Sequence, residues 1–238
     1  MNFTALIQKY VLLATLIAVI SCGQSTDNEN RDVQQETSRG AEVVTTDKEA
    51  APSEKEEKVI VFFGNSLTAG YGLDPTEAFP ALIQAKIDSL GLEYEVVNAG
   101  LSGETTASGK NRVEWILKQE VDVFVLELGA NDGLRGINLD ETKRNLQQII
   151  DKVREESPEA EIVLTGMQIP PNMGAEYAGK FREIFPDLAK ANNVHLIPFL
   201  LDGVGGERDL NLPDGIHPNV EGHQILAENV WRVLKDII

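Results

Sequence analysis

The stretch "GNSLTAGYG" sets Ser66 directly behind the apolar run "VIVFF". A hydroxyl at a strand end becomes a nucleophile only when a base takes its proton, so the histidines come next. There are three. His195 lies inside an apolar run and reads as a buried structural imidazole. His223 falls in the first turn of the last helical pattern, where it reads as solvent-facing or capping. His217 stands in "PDGIHPN", a loop just ahead of that helix, and is the one placed to serve as a general base. Asp214 precedes it by three residues. On a turn, that spacing brings a carboxylate to one ring nitrogen and leaves the other free.

Acyl transfer to a serine also needs donors for the oxyanion that forms. Gly103 in "SGET" can bring its backbone N–H close to a ligand, Asn131 in "GAND" offers a side-chain amide, and the N–H of Ser66 is a third donor. Singly, each of these residues has a plainer reading: a turn serine, a loop asparagine, a solvated aspartate. Their placement relative to the secondary structure is what joins them.

That structure is legible as alternation. The runs "VIVFF", "YEVVNA", "VDVFVLEL", "EIVLTGM" and "VHLIPF" are short and rich in Val, Ile, Leu and Phe. Between them lie the helical patterns "EAFPALIQAKIDSL", "ASGKNRVEWILKQ", "LDETKRNLQQIIDKVREE" and "GAEYAGKFREIFPDLAKAN", and "NVEGHQILAENVWRVLKDII" closes the chain. Strands alternating with helices predict right-handed crossovers and a parallel sheet covered on both faces. The expected fold is α/β, a flavodoxin-like three-layer α/β/α sandwich whose five-stranded sheet sets strand one beside strand three. Sites in such sheets lie beyond the carboxyl ends of the strands, which is where Ser66, Gly103 and Asn131 fall.

The motifs "GNSLTAGYGL", "NAGLSGETT", "LELGANDGLRG" and "DGIHPN" occur in the order found in the SGNH (GDSL-type) hydrolases, and the chain resembles that family from about Val59 onward. The likeness is greatest to the bacterial arylesterase, thioesterase I and lysophospholipase L1 group. It implies Ser66 as nucleophile, Asp214 and His217 as the rest of a triad, Ser66, Gly103 and Asn131 as oxyanion donors, and neither metal nor cofactor. The implied reaction is hydrolysis of aryl, acyl or lysophospholipid esters through an acyl-enzyme, with acyl thioesters or a non-catalytic surface binding protein as alternatives. Leu134, Ile137, Ile169, Pro170 and Met173 are candidates for an acyl groove beside the oxyanion donors, or for loop packing. One departure stands out: the family has Asp between the glycine and the serine, and this chain has Asn65. Altered local hydrogen bonding is expected from it, without loss of activity.

Other chemistries fit less well. "GETTASGKN" is one residue too long for a phosphate loop, and Asn111 stands where that loop needs Ser or Thr. No G-x-S-x-G elbow is present.

The first residues differ in kind. Lys9 precedes an apolar run from Tyr10 to Ile20, too short for a bilayer crossing of roughly 20 residues but suited to a signal peptide. It ends in "VISC", which resembles a bacterial lipobox, and Cys22 is the only cysteine in the 238 residues. The expectation is a lipoprotein signal peptide over 1–21, an acidic tether over 22–57 starting at lipidated Cys22, and one hydrolase domain over 58–238. This places the protein in a bacterial cell envelope, facing periplasm or exterior, with a lipid anchor as its contact with the membrane. A net charge of −17 disfavours nucleic acid as a partner. The expected partner is a small ester with an acyl or aryl group.

Overall fold

In β1 (Lys58–Gly64), Ile60, Val61, Phe62 and Phe63 have no exposed surface. A strand buried on successive residues has no face for water, so both sides must be covered, as in the interior of a parallel sheet. The computed structural model describes residues 57–238. The signal peptide, Cys22 and the tether expected ahead of the domain lie outside the described residues, apart from Glu57.

Five parallel strands form one sheet in the order β2-β1-β3-β4-β5, with β2 at Tyr94–Gly100, β3 at Val123–Glu127, β4 at Glu161–Thr165 and β5 at His195–Ile197. Strand one therefore lies beside strand three. The register pairs Gly64 with Gly100 on one side and with Glu127 on the other, so three strand ends meet at one edge. Three strands, β3, β4 and β5, stop earlier than their apolar runs. Proline has no N–H for the ladder, and β5 ends just before Pro198; the third run gives way to the Gly129 turn.

Helices cover both faces. Phe62 meets Phe79 at the start of α2 (Phe79–Ser89), edge to face at 5.4 Å. Phe63 points the other way, to Phe124 at 5.5 Å, beneath α3 (Thr106–Ile116). On the α3 side follow α5 (Leu139–Glu156) and α6 (Ala175–Asn192), while α7 (Val220–Leu234) packs on α2. Two short helices, α1 (Ser66–Ala69) and α4 (Ala130–Leu134), begin at the carboxyl edge itself.

Two histidines are not where the sequence suggested. His195 is exposed: β5 is a three-residue edge strand, and the ring reaches out to Glu161 at 3.1 Å. His223 is buried, stacked on Phe79, and its Nδ1 accepts the Phe79 N–H at 3.0 Å. It satisfies a donor that the first turn of α2 leaves without a helical partner. Burial, helped by the charge of His217, lowers its pKa to about 4.

A depressed pKa on a histidine means that the unfolded chain binds a proton the native state refuses. Stability is then complete above the unfolded value of about 6.5 and falls as pH drops toward 4, by roughly 3 kcal/mol once fully developed. Thermal melts of the wild type should shift downward between about pH 7.5 and pH 5. His223→Asn, which keeps an acceptor for Phe79 but does not titrate, should show a smaller downward shift.

Candidate active site

Ser66 opens α1, and the residue before it is that helix's cap: Asn65 Oδ1 accepts the Leu67 N–H at 3.0 Å. The turn is anchored from behind by Glu127, which accepts from the Asn65 backbone N–H at 3.0 Å, Asn65 Nδ2 at 2.7 Å and Thr68 Oγ1 at 2.8 Å. With its base pinned in this way, Ser66 presents Oγ toward the loop that precedes α7.

In that loop His217 Nε2 lies 2.9 Å from Ser66 Oγ, and His217 Nδ1 lies 2.7 Å from Asp214 Oδ2. Asp214 holds its own turn, its Oδ1 accepting the N–H groups of Ile216 at 3.0 Å and His217 at 3.1 Å. The Ile216 N–H, then the His217 ring and backbone N–H, hold the Asp214 carboxyl down at about 2. At ordinary pH it only accepts, so Nδ1 must carry the ring proton and Nε2 offers its lone pair to the serine. Asn219 sets the loop against the helix, capping α7 through the Gly222 N–H at 3.0 Å and donating to Asp209 O at 2.8 Å. Tyr71 lies over the imidazole, ring centroids 4.5 Å apart.

The other side of the site comes from the ends of β2 and β3. Gly103 has φ +82, a backbone conformation that other residues adopt only under strain. Its loop is tied down by Glu104, buried and paired with Arg112 through contacts of 2.8 and 2.5 Å. Asn131 lies in α4 and donates one amide hydrogen to Glu104 O at 3.0 Å, leaving the second free. Asp132 locks α4 to α3 by accepting the Thr106 N–H at 2.9 Å and its hydroxyl at 2.5 Å. The N–H groups of Ser66 and Gly103 make no hydrogen bond within the described residues. Together with the second Asn131 hydrogen they leave three donors without a partner among the described residues.

Ser66, Gly103, Asn131 and His217 open onto one cavity of about 580 Å³. Leu134, Ile169 and Pro170 line it, joined by Met167, Phe199 and Leu201, which the sequence did not single out. Ile137 and Met173 do not line it: Met173 packs against the core, and Ile137 lies at the Tyr177 hydroxyl, which donates to its carbonyl at 2.8 Å. The supporting carboxylates Glu104, Glu127 and Asp132 were also missed. Their one sequence signal is a charge set in or against an apolar or small-residue run. Among the described residues no group of three or more His, Cys, Asp or Glu side chains gathers as metal ligands.

Comparison with known proteins gives a consistent picture. Residues 62–225 match the model of the GDSL-like Lipase/Acylhydrolase family. The chain is 38% identical to esterase TesA of Pseudomonas aeruginosa over 182 residues, 76% of this chain and 90% of that protein. It is 37% identical to thioesterase 1/protease 1/lysophospholipase L1 of Escherichia coli K12, over 75% of this chain and 84% of its relative. The crystal structure of TesA aligns with a TM-score of 0.73 at 37% identity, covering 76% of this chain and all of that one, 100%.

An activated serine should react with a fluorophosphonate. Intact mass and peptide mapping are expected to place one adduct on Ser66, and none should form on Ser66→Ala.

Proposed function

The chain belongs to the GDSL-like lipase/acylhydrolase family, and on that premise we propose that it is a serine esterase with Ser66 as nucleophile, His217 as base and Asp214 as the carboxylate that orients it. The observation that carries this reading is the unbroken chain of contacts, Ser66 Oγ to His217 Nε2 at 2.9 Å and His217 Nδ1 to Asp214 at 2.7 Å, at a cavity with apolar walls.

Ser66 Oγ attacks the ester carbonyl carbon while Nε2 takes its proton. The carbonyl electron pair moves onto oxygen, where the N–H groups of Ser66 and Gly103 and the free hydrogen of Asn131 receive it. The intermediate collapses, the C–O bond to the alcohol breaks, and Nε2 returns the proton to the departing oxygen. Water then attacks the acyl-Ser66 ester with His217 again as base, and the acid leaves. These donors gain most where charge develops, which is how they accelerate the step rather than merely bind substrate.

The walls formed by Leu134, Met167, Ile169, Pro170, Phe199 and Leu201 suit an acyl chain. The sequence "VISC" and the acidic segment after it support a lipid-anchored protein of the bacterial envelope, facing periplasm or exterior. Coenzyme A esters should be scarce there, so lysophospholipids or other small acyl esters are favoured over thioesters. A binding protein without turnover fits less well, because Asn65, the residue that hinted at it, is fully engaged in building the serine turn.

The deciding experiment is hydrolysis of p-nitrophenyl butyrate by the purified protein and by Ser66→Ala. Turnover by the wild type alone is expected; no turnover by the wild type would overturn the reading. Asn131→Ala should lower kcat by roughly 10²–10³ with a smaller change in KM. Ile169→Ala and Leu134→Ala should alter the chain-length profile measured on a p-nitrophenyl ester series, and an unchanged profile would remove the acyl-chain assignment.

A further inference from the structure

Glu127 ends β3 with no exposed surface and no cation partner among the described residues. A buried carboxylate in that state is unfavourable unless hydrogen bonds compensate it. Here every recorded partner is a donor: Oε1 accepts from Asn65 Nδ2, and Oε2 from the Asn65 N–H and the Thr68 hydroxyl. Gly64 belongs to the same arrangement, since a Cβ there would fall 2.0 Å from Thr68 Oγ1 and 2.6 Å from Glu127 Oε2. Glycine, asparagine and threonine of "GNSLT" are thus all shaped around one carboxylate. Asn65 carries the link forward, its Oδ1 accepting the Leu67 N–H at 3.0 Å and lying 3.3 Å from Ser66 Oγ.

We propose that Glu127 is a positioning residue for Ser66, holding the nucleophile turn as an anion, and that the Asn65 amide is what lets it do so. The amide cannot be turned round. Flipping it would aim Nδ2 at the Leu67 N–H, donor against donor, and would uncap α1. Nor can Glu127 carry a proton without loss, because the groups facing it from β1 and α1 are uncharged donors, and only the Thr68 hydroxyl can reverse its role. Burial pushes the Glu127 carboxyl up to about 7, against the pull of Thr68 and Asn65. The turn is therefore held most firmly on the alkaline side of neutrality. His217 and Asp214 meet Ser66 from the loop before α7, opposite this support.

The proposal deepens the assignment of Ser66 as nucleophile, and its test uses four proteins: wild type, Asn65→Asp, Glu127→Gln and the double variant. kcat and KM for p-nitrophenyl butyrate are measured from about pH 6 to pH 9, a range that brackets the Glu127 titration. Glu127→Gln leaves a donor facing a donor in every orientation, so kcat should fall roughly tenfold to a hundredfold with KM little changed. Asn65→Asp sets two carboxyls at hydrogen-bond distance. They function while they share a proton and repel once it is lost, so this variant should show an alkaline fall in kcat that the wild type lacks. The double variant reverses the direction of one hydrogen bond and keeps all the others, so it should return to within about threefold of wild type.

A double variant no better than Glu127→Gln would overturn the proposal, as would an Asn65→Asp profile superimposable on the wild type. If Glu127→Gln does not fold, the Asn65→Asp profile decides alone. Failure of the nucleophile assignment is seen separately, as activity that survives in Ser66→Ala.

Discussion

Nδ1 of His217 can only donate, because the carboxylate 2.7 Å away takes up no proton until the pH approaches about 2. That single restriction fixes the tautomer of the ring and turns the lone pair of Nε2 toward the Ser66 hydroxyl, 2.9 Å away. It needs two things from the rest of the chain: a loop stiff enough to keep Asp214 and His217 in register, and a serine that does not wander. Asp214 supplies much of the first by binding the N–H groups of Ile216 and His217, and Asn219 completes it at the start of α7.

The second need is met at the carboxyl edge of the sheet, where β1, β2 and β3 end side by side. Each end carries a buried polar tie: Glu127 under the Ser66 turn, Glu104 with Arg112 behind Gly103, Asp132 with Thr106 beneath Asn131. Among the described residues no buried side-chain nitrogen or oxygen lacks a partner. Such charge-assisted bonds contribute about 1.5–3 kcal/mol each and would be costly to leave half-made, so they favour one arrangement of the rim over nearby alternatives. Rigidity here serves the proposed mechanism, since oxyanion donors work only if they already point where the charge will appear.

That Ser66, Gly103, Asn131, Asp214 and His217 would gather at one edge of the sheet was legible in the sequence, because loops after parallel strands meet there and strand ends are marked by glycine and polar residues after apolar runs. The sheet order was legible for a related reason, since alternating short strands and helices leave few ways to build a parallel sheet. Burial of single side chains was harder. His195 looked internal because its neighbours are apolar, yet a short edge strand exposes it. His223 looked external because it opens a helix, yet it shares a face with Leu226, Val230 and Leu234, all buried. That helical spacing was the signal to read. Glu127 could not be assigned from the sequence, because nothing local reveals that a charge at the end of a buried strand is met by three donors from another strand's turn.

The account rests on the state of one imidazole, and long-range proton–nitrogen NMR correlations of the His217 ring in the resting protein test it most directly. At mildly alkaline pH the account predicts a proton on Nδ1 and a bare, pyridine-like Nε2. A neutral ring carrying its proton on Nε2 would contradict it, because that nitrogen could not then accept the proton of Ser66.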